Sequence, residues 1–84
     1  MRITLKLFAS LAVHLPAEAR ASLRMGLDLP EGTTVLEVIR QQGIPQEQCA
    51  IVLVDGHWVA APDRAGRVLS EGEALAIWPP VAGG

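Results

Sequence analysis

The amino-acid sequence predicts an α+β domain, a mixed β-sheet with one main helix packed on one face. Three observations carry that prediction. Residues 1–9, MRITLKLFA, alternate apolar and polar side chains, which is the period of a half-buried strand. Thr34 and Glu37 form a capping-box pattern at the head of an apolar helical run that Gly43 and Pro45 close. Two further apolar segments, 51–54 and 74–78, adjoin glycine-containing turns, as strands do. With 84 residues the chain has room for one domain, near the lower limit at which a single core suffices.

In order along the chain, Ile3, Leu5 and Leu7 share one face of the first strand and Arg2, Thr4, Lys6 and Phe8 the other. Residues 10–14 fit a helical turn capped by Ser10 and ended before Pro16. The stretch 16–22, PAEARAS, reads as a polar connection. Leu23, Met25, Leu27 and Leu29 then alternate with Arg24, Gly26 and Asp28, giving a second strand antiparallel to the first. Pro30-Glu31-Gly32 is a turn, and the helix is expected over 35–42. Residues 51–54 are wholly apolar, consistent with a strand inside the sheet. Asp55-Gly56 marks a tight turn into a short return strand at 57–59. Loop residues 60–68 and the turn Ser70-Glu71-Gly72-Glu73 lead to the last strand. Strand, strand, helix, strand, short strand, strand is the order of the ubiquitin-like β-grasp, with first and last strands side by side in the middle. The expected organisation is a β-grasp domain over 1–78 and an extended Gly-Gly tail over 79–84.

Composition removes several classes of function. Half the residues are apolar, 19% are charged and the net charge is -2, which describes a globular protein and leaves no basic run for nucleic acid. No apolar segment approaches the roughly 20 residues that span a bilayer, so no membrane association is expected. The sequence starts on a strand pattern without a secretory apolar segment, and its one cysteine, Cys49, has no internal disulfide partner. A cytoplasmic location is the expectation.

Parity places two of the three aromatic residues. Phe8 is in register with the polar face of the first strand, and Trp78 is in register with Ala74 and Ala76, opposite Leu75 and Ile77. If the first and last strands are neighbours, Phe8 and Trp78 share the outer face of the sheet, where an aromatic cluster marks a protein–protein surface unless the 16–22 connection covers it. Trp58 is not placed by parity, because the preceding turn has room for a bulge.

No catalytic constellation is present. Cys49 has no basic neighbour in sequence and precedes an apolar strand, which suits a small buried hydrophobe better than a nucleophile. His14 and His57 lack ligand-spaced partners, so no metal site is expected. Glu31, Glu71 and Glu73 sit in turns and read as solvated. The unusual feature is the ending, Pro79-Pro80-Val81-Ala82-Gly83-Gly84. Two prolines hold the backbone near the extended polyproline conformation. Six extended residues reach roughly 20 Å, and Gly-Gly carries no side chain to block a narrow channel. The carboxylate of Gly84 is a poor electrophile until an outside enzyme adenylates it with ATP, after which sulfur or nitrogen attacks the mixed anhydride.

These residues resemble a known family. Ala76-Ile77-Trp78 followed by Pro79-Pro80-Val81-Ala82-Gly83-Gly84 is similar to the ending of MoaD/ThiS-type ubiquitin-like sulfur carriers, closest there to the small subunit of molybdopterin synthase. Leu5-Lys6-Leu7-Phe8-Ala9 and the turn 70–73 also resemble that family, whereas the stretch 43–56, GIPQEQCAIVLVDG, is more similar to the thiamin-pathway carriers. The resemblance covers essentially the whole chain. It implies a β-grasp fold, a thiocarboxylate at Gly84, and activation by a ubiquitin-activating-enzyme-like adenylyltransferase that uses ATP. It further implies sulfur donation inside a large synthase subunit packed against Phe8, Trp58 and Trp78, with Pro79 to Gly83 inserted, and no bound cofactor or metal. The chain would then be a non-catalytic sulfur-donor subunit in molybdopterin biosynthesis. A thiamin-type or other carrier, a ubiquitin-like protein modifier and a plain interaction module are the alternatives.

Overall fold

Alternation along the first nine residues drives Ile3, Leu5 and Leu7 to one side, and burying that side sets the architecture. In the computed structural model, which describes residues 1–80, the five strands are β1 (Arg2–Leu7), β2 (Arg24–Asp28), β3 (Ile51–Val54), β4 (His57–Trp58) and β5 (Ala74–Trp78). They form one mixed sheet in the order β2-β1-β5-β3-β4. The first and last strands run parallel at its centre, with Leu5 opposite Leu75 and Leu7 opposite Ile77. The other pairs are antiparallel. This is the β-grasp expected from the order of elements.

Helix α1 (Val35–Gln41) covers the inner face. At seven residues it is too short to persist alone, so its ends and its packing must hold it. Thr34 Oγ1 accepts the Glu37 amide at 3.2 Å while the Glu37 carboxylate accepts the Thr34 amide at 3.0 Å, completing the capping box. The next free donors, the amides of Val35 and Leu36, bond the carbonyls of Arg67 and Arg64. At the other end Gly43, at φ +72°, lets its own amide reach Arg40 O and that of Ile44 reach Ile39 O, a Schellman closure. Val35, Val38 and Ile39 join Leu5, Leu7, Val52, Val54, Leu75 and Ile77 in one buried cluster.

Several expectations change in detail. Ser10 is not a cap: Phe8 holds the N-cap position of a 3-10 helix spanning Ala9–His14 and makes no side-chain cap bond. Leu23 stands in the left-handed region (φ 61°), so β2 begins one residue later at Arg24. The 16–22 connection contains a short 3-10 turn, Ala17–Ala19, whose Ala19 enters the core. Neither Glu71 nor Glu73 is simply solvated. Glu71 Oε1 accepts the Arg2 amide at 2.9 Å. Glu73 accepts the Ser70 amide at 2.7 Å and Arg67 Nη2 at 2.8 Å, so the 70–73 turn is tied to the chain on both sides.

Candidate functional site

The site is the outer face of the sheet, opposite α1, and register builds it. Side chains of directly opposed residues on adjacent strands point to the same face. Lys6 opposes Ala76, Ala76 opposes Leu53, and Leu53 opposes Trp58, so these four make one outer row across β1, β5, β3 and β4. The adjacent row contains Trp78 opposite Ile51 and Phe8, whose amide bonds Ile77 O at 3.1 Å. Phe8 and Trp78 stack with ring centroids 4.2 Å apart and planes 3° from parallel, and both rings are half-buried on this open face.

Trp58 is resolved by its turn. Asp55 (φ 49°) and Gly56 (φ 82°) are both in the left-handed region, the geometry of a two-residue type I′ hairpin. No bulge intervenes between Val54 opposite His57 and Leu53 opposite Trp58. Trp58 therefore joins the outer face, 59% exposed, diagonal to Ile51 and apart from the Phe8–Trp78 stack. Ile51, 40% exposed, and Leu53 complete a continuous apolar surface that the parity of β1 and β5 alone does not disclose. The signal for them was the run 51–54 itself: a strand apolar on both faces implies that both faces are to be covered.

Small side chains leave a depression in this surface. Ala74, Ala76 and Leu53 floor an open groove of about 500 Å³, between the Phe8–Trp78 stack and the Asp55–Gly56 turn. A second groove of about 200 Å³ lies on the other side of Phe8, lined by Lys6, Arg24, Ser22 and Leu23. The 16–22 connection thus borders Phe8 at Ser22 without closing over it. Beyond Trp78 the half-buried Pro79 and the exposed Pro80 continue the chain from the centre of the sheet. Val81, Ala82, Gly83 and Gly84, assigned to tail insertion and sulfur attachment, lie outside the described residues.

Among the described residues the remaining candidates are Cys49 and the ionisable side chains. Cys49 is 4% exposed, its thiol pushed up by burial against a smaller opposing effect of the Arg64 charge. Arg64 is itself buried and donates from Nε to Val59 O at 3.4 Å. Among the described residues no three His, Cys, Asp or Glu side chains gather as metal ligands, and no helix is long and apolar enough to cross a membrane.

Known proteins agree with this architecture. The chain is similar to SAMP1 from Haloferax volcanii, with 26% sequence identity, 100% of each chain covered and a TM-score of 0.67. It is also similar to the Haloferax volcanii HVO 2177 protein, with 25% identity over 100% of this chain and 87% of that one, at a TM-score of 0.74. The Pyrococcus furiosus protein named as molybdopterin converting factor, subunit 1, shares the fold, with a TM-score of 0.64 at 18% identity over 96% of this chain and 99% of that one. No curated protein matches the chain. A family model described as the ThiS family matches residues 13–84, and the chain belongs to the ThiS family.

Proposed function

We propose that this chain is a sulfur carrier whose terminal glycine, Gly84, is adenylated and converted to a thiocarboxylate, with molybdopterin synthesis as the recipient pathway. The observation that carries the reading is continuity. The ThiS-family match runs through Gly84, and the segment leading to it leaves the sheet at Trp78, inside the exposed apolar face.

The chemistry has three steps. The Gly84 carboxylate attacks the α-phosphorus of ATP and expels pyrophosphate, giving an acyl adenylate. A persulfide sulfur on a partner then displaces AMP, and a second partner thiol cleaves the resulting acyl disulfide, leaving the thiocarboxylate and a protein disulfide. Buried Cys49 is unsuited to either thiol role, so both sulfurs belong to partners. The β-grasp contributes docking: the outer face binds the adenylyltransferase, and later the large synthase subunit, so that Gly84 is held at the reacting centre. The ending Pro79-Pro80-Val81-Ala82-Gly83-Gly84 supports molybdopterin over thiamin as the destination.

An ATP–pyrophosphate exchange assay with the adenylyltransferase of the same organism tests the first step. Exchange should depend on this protein and vanish when Gly84 is deleted, with the thermal midpoint of the deletion variant unchanged; exchange that survives the deletion contradicts the assignment. A second reading, a protein modifier, is favoured by the similarity to a protein named as a small archaeal modifier. Covalent ladders on lysines of other proteins in a denaturing gel distinguish it.

A further inference from the structure

The two central features of the outer face, its aromatic stack and its grooves, are flanked by a charge arrangement that the fold itself does not favour. On β1 and β2, Arg2 lies opposite Asp28 and Lys6 lies opposite Arg24, all on the outer face. The first pair is matched, with Arg2 Nη1 and Asp28 Oδ2 2.8 Å apart. The second places two cations side by side, which weakens a sheet where opposite charges would strengthen it. This happens in a chain with nine acidic and seven basic residues, so it is not the by-product of a basic composition.

Neither cation is neutralised within the described residues: the ion pairs there engage the N-terminus, Arg2 and Arg67. The acidic group that shares the larger groove with Lys6, Asp55, is turned to the backbone, where its Oδ1 accepts the Ala74 amide at 2.8 Å. Lys6 and Arg24 instead line the smaller groove together, directly beside Phe8. Lys6 is half-buried there and Arg24 exposed, so a carboxylate seated between them would gain a charge-assisted bond on a surface that docking dries.

We propose that Lys6 and Arg24 form a receptor for an acidic side chain of the docking protein, adjacent to the large apolar residue that covers Phe8 and Trp78. The inference rests on the outer face being the docking surface of a carrier. It adds the chemical identity of the partner's contact: an Asp or Glu within one helical turn, or two residues along a strand, of a bulky apolar side chain. Strands are about 4.8 Å apart, so the stack and the cation pair are close enough for one short partner segment to meet both.

Lys6→Glu separates docking from folding. Opposite Arg24 it creates a matched pair, so the thermal midpoint should rise by about 1–8 °C. In the pyrophosphate-exchange assay with the adenylyltransferase, the KM for the variant should rise about tenfold at low salt with kcat little changed, and the difference should shrink as salt increases. Arg24→Glu should behave the same way, and Lys6→Arg should match wild type. An unchanged KM for Lys6→Glu with a raised midpoint would overturn the receptor, and a lowered midpoint would show that the pair serves the fold. Wild-type protein that supports no exchange would sink the carrier reading and the receptor with it. Normal wild-type exchange alongside an unchanged Lys6→Glu would sink the receptor alone.

Discussion

Phe8→Ala measures how much of the aromatic stack belongs to the fold and how much to a partner. A fully buried phenylalanine costs about 3–5 kcal/mol on truncation to alanine. Phe8 is only half-buried, and the apolar residues beneath the sheet lie on its other face. Its loss to the isolated domain is therefore the stack with Trp78, 4.2 Å away, worth about 0.5–1.5 kcal/mol, together with partial burial, about 1–2 kcal/mol in all. A domain of this size has about 4–13 kcal/mol of stability, so the variant should remain folded with a midpoint lowered by about 5–15 °C. At the centre of an interface the same ring should behave as a hot spot of about 2 kcal/mol or more, a thirtyfold or larger loss of affinity. A circular-dichroism melt and a calorimetric titration against the adenylyltransferase read the two quantities. A variant unfolded at 25 °C would show Phe8 to be a core residue, and a folded variant with unchanged Kd would remove the outer face from docking.

Two further outcomes concern the supports beneath that face. Thr34→Ala removes the acceptor of the Glu37 amide and should lower stability by about 1 kcal/mol, read as a lower urea midpoint with unchanged m-value. The side-chain hydrogen bond from Arg67, with help from the Ser70 amide, holds the Glu73 carboxyl below its ordinary range. A carboxyl depressed in the folded state stabilises fully above its unfolded value and loses that contribution as pH falls through the folded one. The wild-type melting temperature should therefore fall on acidification below the ordinary carboxylate range, and Glu73→Gln should flatten that limb; an unaltered limb would exclude Glu73 as its source.

Much of this was legible in the residues because local rules and global packing agree. The capping box at Thr34, the stop at Gly43 and the turn at Asp55–Gly56 are each decided by a few neighbouring atoms, and each stands as read. The parity of Phe8 and Trp78 needed only the adjacency of β1 and β5, which element order supplies. What was not legible depends on distant partners. Ile51 and Leu53 were hidden inside an apolar run, since only the register of β3 against β5 shows which of its residues face outward. The lysine and arginine receptor was invisible until β1 and β2 were paired residue by residue. Arg64 is buried where its Nε reaches Val59 O and its carbonyl accepts the Leu36 amide, and Glu73 is anchored inside the loop by Arg67 and the Ser70 amide; periodicity encodes neither pairing.

The most direct test of the central claim is the intact mass of the protein after incubation with its adenylyltransferase, ATP and a persulfide donor. The mass should rise by the difference between sulfur and oxygen, with the gain located at Gly84 by fragmentation and lost when ATP is omitted. Unchanged mass in a reaction that shows pyrophosphate exchange, or sulfur found on Cys49 instead, would contradict it.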